Sequence, residues 1–255
     1  MNFATRALLE LQEITLLAAR AARGLLKRPR YIPETIAQMD AIGVGSLTII
    51  ILTGFFTGGV FTLQTYPTLK AYGAQYQTGN LVALALVREL GPVLTALMVT
   101  GRVGSAISAE LGSMTVSQQI DAMRALGTDP IRKLVAPRLL ALIITLPLLT
   151  VLVDVLGIIG GWIVSTTLYG MDSAMYFNSV WDGVMAKDII GGVIKPLVFG
   201  LIIAAIACHK GLTTEGGTVG VGRSTTKAVV TASIVVIITD FFLARGLQYI
   251  LNMPK

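Results

Sequence analysis

Ala41 to Leu63 is a run of 23 residues without one charge, and four more long apolar stretches follow it. About 20 such residues in a helix, at 1.5 Å of rise each, cross the hydrocarbon core of a bilayer. Leu81–Gly101 is the second stretch, interrupted only by Arg88-Glu89, and Leu139–Thr166 is the third, holding Pro147 and Asp154. Ile189–Cys208 is the fourth, with Lys195-Pro196 inside it. The fifth runs from Lys227 or Ala228 to Leu251 and contains Asp240 and Arg245. Only 13% of the 255 residues are charged, against roughly 25% in a soluble domain. Such a chain cannot coat a water-facing globule, and it is far too apolar to be disordered. The expectation is an all-α integral membrane protein, one unit over 1–255. A membrane-surface segment (1–40) precedes five transmembrane helices (41–255), the second continuing as helix towards Gly112.

The loops orient the spans. With the N-terminus inside, segments 1–40, 102–138 and 209–227 hold fourteen Lys/Arg, whereas 64–80, 167–188 and 252–255 hold only Lys70, Lys187 and Lys255. That asymmetry predicts a cytoplasmic N-terminus and a periplasmic C-terminus. It also explains the net charge of +6 through insertion and anionic lipid rather than nucleic acid. Tyr66, Tyr72 and Tyr76 after span 1, and Tyr169, Tyr176, Phe177 and Trp181 after span 3, read as outer aromatic belts. No secretory signal opens the chain. Instead Phe3, Ala7, Leu8, Leu11, Ile14, Ala18 and Leu25 recur at helical steps among charges. This predicts an amphipathic helix in the membrane interface, stopped by Pro29 and Pro33. A smaller amphipathic helix is expected over 172–187, capped by Asp172 or Ser173, with Tyr176, Val180 and Val184 beside Phe177, Trp181 and Met185 on its apolar side.

Charges inside spans are costly and commonly face a cavity or a partner. Arg88 and Glu89 are neighbours about 100° apart around the helix, so they do not neutralise each other side by side. Two readings stand: a polar point on a substrate path, or an Arg that holds the bundle through another helix. Lys195 and Asp240 suit an ion pair between spans 4 and 5, structural or functional, because each is cheaper to bury with a partner. Asp154, near Gly157, Gly160 and Gly161, suggests packing with hydrogen bonds to Ser or Thr. Lys195 precedes Pro196, so a kink is expected there. Small residues in spans 1 and 2 (Gly43, Gly45, Gly54, Gly58 and Gly59; Gly101, Ser105 and Ala109) point to close helix packing or dimerisation.

Gly217–Ser224, Gly-Thr-Val-Gly-Val-Gly-Arg-Ser, is one residue from a phosphate-binding loop. Arg223 stands where that loop needs Lys, and no strand precedes it. It is a decoy, so nucleotide is expected on another chain. His209 is the only histidine and Cys208 the only cysteine, which leaves no metal cage or disulfide within the chain. Ser105, beside Gly104, lacks a base and is a packing residue.

Between spans 2 and 3, Val116–Ala125 alternates apolar Ile120, Met123 and Leu126 with polar Gln118, Gln119, Asp121 and Arg124, and Gly127 and Pro130 end it. A short amphipathic helix there suits the groove of a soluble partner; an ordinary interfacial loop helix is the plainer reading. Asp121-Ala-Met with Gly127 resembles the cytoplasmic coupling loop of ATP-binding-cassette permeases. More widely, Leu86-Val-Arg-Glu-Leu-Gly-Pro-Val, Gly101-Arg-Val-Gly-Ser-Ala, Ala109-Glu-Leu-Gly, Asp129-Pro-Ile-Arg-Lys, Ala136-Pro-Arg and Leu146-Pro-Leu-Leu-Thr resemble the MlaE/YrbE permease family over nearly the whole chain.

That resemblance implies the membrane subunit of an ATP-binding-cassette phospholipid transporter of the bacterial inner membrane, which maintains outer-membrane lipid asymmetry. It implies a homodimer, two ATPase subunits that bind ATP and Mg²⁺, and a hexameric MCE-domain protein on the periplasmic side. A small STAS-domain protein is a further partner it allows. It implies a lipid cavity involving Arg88, Glu89, Phe61, Leu69, Tyr72, Lys195 and Asp240, and ATPase coupling through Gln119, Asp121, Met123, Arg124 and Gly127. Arg88 would meet a lipid phosphate about 10 Å along span 2, and Phe61 and Leu69 would flank acyl chains. Thr68, Pro196 and the Asp-Ala-Met sequence depart from the family pattern. The rival classes are an ion- or proton-coupled secondary transporter, which would show inverted repeats, and a membrane enzyme, which would need a nucleophile–base or metal set.

Overall fold

The computed structural model describes residues 3–25 and 31–251. Its helices are α1 (Phe3–Leu25), α2 (Ile32–Ala71), α3 (Gln75–Val116), α4 (Gln119–Ala125), α5 (Ile131–Thr167), α6 (Ser173–Gly183), α7 (Ala186–Leu212) and α8 (Gly217–Ile250). Helices α2, α3, α5, α7 and α8 are long and apolar enough to cross a membrane. The five expected spans are all present, and each runs further than its apolar stretch. Pro33 falls in the first turn of α2 instead of closing α1, the place where a missing N–H costs least. Lys27, Pro29, Lys255 and the side chains of Phe3 and Ala7 lie outside the described residues.

Pro67, Pro147 and Pro196 sit within helices that continue through them. Pro92 and Pro137 leave a different mark. Each follows by two residues a stretch of π-helix, Leu86–Leu90 in α3 and Ile131–Val135 in α5, where Gly91 N–H bonds Leu86 C=O and Ala136 N–H bonds Ile131 C=O. A proline has no N–H for the carbonyl four residues back and collides with it. The wider turn relieves that conflict at Arg88 and Lys133. Thr100–Gly104 is a third π stretch, with no proline to account for it.

The contacts divide into two compact units. One gathers the described residues up to Gly45, with Val99–Thr145 and Val198–Ile237; the other gathers Ser46–Met98, Leu146–Leu197 and the described residues from Ile238 on. In the first unit α1 packs by Ile14 against Ala205, Ile206 and Ala232. Leu8 and Leu11 of the expected apolar stripe stay exposed, as suits a helix lying in a membrane surface. Ion pairs Glu110–Arg138 (2.7 Å) and Glu10–Lys210, with a Glu13–His209 hydrogen-bond contact (3.1 Å), tie this unit together. Its segments include those carrying the Lys/Arg excess.

In the second unit α6 forms with the expected cap, Asp172 accepting from Met175 N–H at 3.1 Å, but it ends at Gly183, where Val184 turns extended, short of the expected 187. Tyr176 and Val180 are buried while Trp181 and Met185 remain exposed. Tyr176 donates to the Ile158 carbonyl at 3.1 Å, and burial raises its phenol's pKa, which keeps it a donor. Tyr66, on α2, is buried and stacks on Tyr169 with centroids 4.1 Å apart.

The glycines of span 1 are used within the chain. A Cβ on Gly58 would overlap the Gly157 backbone, one on Gly54 would press on Val153, and one on Gly160 would overlap Phe55. The small residues of α2 therefore bring it against α5, and this face of the first span is closed to a second copy. Gly58→Leu should lower the yield of folded chain severely, since overpacking against backbone exceeds the usual cost of about 1–3 kcal/mol. Size-exclusion profiles and thermal unfolding in detergent would show it; a parent-like profile would contradict the packing.

Candidate functional site

Arg88 and Glu89 lie on the π turn of α3, thirteen residues from its start at Gln75 and hence about 20 Å along the helix from that end. Arg88 Nε donates to Asp188 Oδ1 at 2.8 Å, and Nη2 is also 2.8 Å from that oxygen. Asp188 is fully buried, and its Oδ2 accepts from Met185 N–H at 2.9 Å. Asp188 thus closes the first turn of α7 and fixes the guanidinium through one carboxylate. Two edges of Arg88 point at Asp188, so Nη1 is the edge on which a ligand could still be held.

Lys195 is the other centre of the cluster. Its ammonium is 2.6 Å from Glu89 Oε2, 2.8 Å from the Arg88 carbonyl and 3.0 Å from Asp240 Oδ1. An ammonium has three donors, and this one faces three acceptors at only 3% side-chain exposure. The Arg88 carbonyl is available because Pro92 offers it no N–H. One proline thus accounts for the π turn and for a lysine site across it. Asp240 contacts Lys195 as an ion pair without an aligned hydrogen bond, since its Oδ1 has no such partner.

Arg88, Glu89, Asp188, Gly191, Gly192 and Lys195 line a shallow cleft of about 20 Å³ with Ala244, Leu247 and Gln248. That is room for about one water, a polar contact point rather than a cavity for a two-chain lipid. Phe61, Leu69 and Tyr72 do not line it; Phe61 and Leu69 are half-buried and Tyr72 is exposed. Asp188, counted in a loop by hydropathy, is the residue sequence reasoning missed; the acidic residue opening a span beside Lys187 was its only signal. Asp154 does not bond Ser or Thr through Oδ1, which has no partner and faces Gly91.

A second cluster is α4. The expected single helix over 116–125 is divided at Gln118, which takes φ +58° between α3 and α4. Ile120 is buried and Met123 half-buried, while Gln119, Asp121 and Arg124 are exposed, the last two paired at 2.9 Å. Gly127 at φ +75° closes the helix, with Gly127 N–H on Arg124 C=O and Thr128 N–H on Met123 C=O. This is a Schellman ending, and it leaves Leu126 83% exposed at the tip. Gly217–Ser224 is not a loop at all but the opening turns of α8.

The family model described as Permease MlaE matches residues 35–245. The chain is 41% identical over 225 residues to a "Probable ABC transporter permease protein" of Rickettsia prowazekii, covering 88% of this chain and 87% of that one. It is 46% identical over 211 residues to a protein of the same description from Synechocystis, covering 83% and 80%. It is 40% identical over 215 residues to the "Intermembrane phospholipid transport system permease protein MlaE" of Haemophilus influenzae, covering 84% and 82%.

Proposed function

The chain belongs to the MlaE permease family, and from that premise we propose that it is the membrane subunit of an ATP-binding-cassette phospholipid transporter. It moves lipid between the inner membrane and a periplasmic MCE-domain protein, which keeps the outer membrane asymmetric. It is a multi-pass membrane protein, and five apolar helices carry it through the bilayer. The observation that carries the lipid reading is the cleft of Arg88, Glu89, Asp188 and Lys195 within membrane-spanning helices. Maintaining so many charges there is expensive unless they serve a path or a polar ligand. A guanidinium held by one buried carboxylate is pre-oriented for phosphate. Phe61, Leu69 and Tyr72 would take part where the cavity widens towards acyl chains.

The cleft is too small for a whole lipid, which supports two copies enclosing one cavity. With the glycine face of α2 occupied, α8 is the helix to meet the second copy, since only 17% of its most apolar stretch is buried within the chain. Helix α4, with exposed Asp121, Arg124 and Leu126, fits the groove of an ATPase, and two ATPases would supply hydrolysis. The N-terminus is cytoplasmic and the C-terminus periplasmic on the Lys/Arg asymmetry. A STAS-domain protein would act on the ATPase.

The test is reconstitution in proteoliposomes with the ATPase and MCE-domain protein. ATP-dependent phospholipid transfer is expected, with no hydrolysis by the chain alone. Met123→Glu with Leu126→Glu should reduce ATPase copurification and transfer more than tenfold, because a charge placed in an apolar docking contact costs upward of about 1.4 kcal/mol. Hydrolysis by the isolated chain that Arg223→Ala removes, or undiminished transfer in the α4 variant, would overturn the assignment.

A further inference from the structure

An apolar groove of about 420 Å³ opens between α1, α7 and α8 inside one unit. Leu11, Ile14 and Ala18 form one wall and Leu201, Ile202, Ala205 and Ile206 another, with Thr231 and Val235 closing the third side. No residue of the Arg88 cleft takes part. Thr231 and Val235 are four apart on α8, and the same stripe continues at four-residue steps through Lys227 and Arg223, so all four residues share a helix face. Both cations are exposed. Among the described residues neither has a carboxylate within ion-pair distance, whereas Glu10, which lines the groove, is already paired with Lys210. Arg223 is the residue that spoils the phosphate-loop pattern, and the transport cleft does not use it.

We propose that this groove is a second lipid site, which holds an acyl chain of an anionic phospholipid from the leaflet in which α1 lies, with the phosphate on Lys227 and Arg223. The occupant follows from three features of the groove. Its lining is hydrocarbon apart from Thr15, Thr231 and Glu10, whose carboxylate is already paired with Lys210, so it matches an acyl chain. The α8 stripe that lines it continues past the groove into Lys227 and Arg223, which among the described residues have no carboxylate within ion-pair distance and match an anion. Its roof is a helix that exposes Leu8, Leu9, Leu11 and Leu16, as helices seated at the headgroup–acyl boundary do. A lipid bound there pins α1 to α7 and α8 without entering the transport path. The site does not depend on what the Arg88 cleft carries.

The test places the full chain in nanodiscs with trace phosphatidylglycerol or phosphatidylcholine bearing a photoreactive acyl chain, and maps the labelled peptides. Labelling of Leu11–Ala18 and Leu201–Ile206 is expected to favour phosphatidylglycerol, by about fivefold for each cation near the surface. Arg223→Glu with Lys227→Glu, both at exposed positions, should erase that preference while leaving the chain folded. Thr15→Trp, which fills the groove from its open side, should suppress labelling by both lipids there but not on the exposed side of α2 at Leu52 and Phe56. Labelling that is equal for the two lipids, or unaltered by the charge reversal, would overturn the proposal and leave ordinary surrounding lipid. Cross-links from the groove to a second protein copy would overturn it too. Loss of transport in Arg88→Glu with groove labelling intact would bear on the cleft alone.

Discussion

A Lys195→Met chain should transport no lipid and unfold well before the parent protein. The substitution keeps the length of the side chain but removes the one group that hydrogen-bonds Glu89 and the Arg88 carbonyl and also pairs with Asp240. Removing one partner of a buried ion pair costs about 3–5 kcal/mol because the other charge is left uncompensated. Here a carbonyl already deprived of an N–H by Pro92 loses its donor as well. Asp240→Asn in the same chain removes one stranded charge but not the other two problems, so it should restore only part of the stability. If Lys195 and Asp240 were a simple pair, the double variant would return close to the parent. Thermal unfolding in nanodiscs, beside ATP-dependent transfer, measures both. A Lys195→Met chain with parental unfolding and transfer would refute the three-acceptor arrangement.

The spans were legible because their signal is long and cooperative: about 20 apolar residues have few other places to go. Their ends were not. Hydropathy stops where the hydrocarbon stops, whereas α2 runs on to Ala71 and α7 starts at Ala186, so Tyr66 read as following span 1 and Asp188 as a loop. The cluster was half legible. Charges within apolar runs announce themselves, and Lys195 does meet Asp240. The link to Glu89 and to the Arg88 carbonyl depends on a π turn, which leaves no hydropathy trace. Its cause, Gly91-Pro92, was in view but marks only a broken bond, not what replaces it. The glycines of span 1 signalled close packing correctly yet could not say against which helix. Spacing describes one surface; the partner surface is a matter of tertiary structure.

Arg88→Glu should abolish lipid transfer and strip copurified phospholipid, and a pair of milder changes shows why. The reversal puts a carboxylate against fully buried Asp188, so its effect mixes lost lipid binding with like-charge repulsion. The same is true of any single change here: truncating one side of a buried hydrogen-bonded charge pair costs about 2–5 kcal/mol, much of it the penalty on the side left behind. Arg88→Gln with Asp188→Asn avoids this. Two neutral amides replace the pair, the acceptor for Met185 N–H is kept, and no charge is stranded. If Arg88 served only to neutralise Asp188, this double variant should regain both stability and transfer. If its remaining edge holds a lipid phosphate, stability should return while transfer stays below about a hundredth of the parent, since a charge-assisted bidentate contact of about 3 kcal/mol is gone. Arg88→Lys should fall between, a point charge without the planar fork. Unfolding temperature, mass spectrometry of bound phospholipid and proteoliposome transfer give three readouts on one set of chains. Recovery of all three in the double variant would make Arg88 a structural counter-ion; recovery of the first alone would make it a lipid ligand.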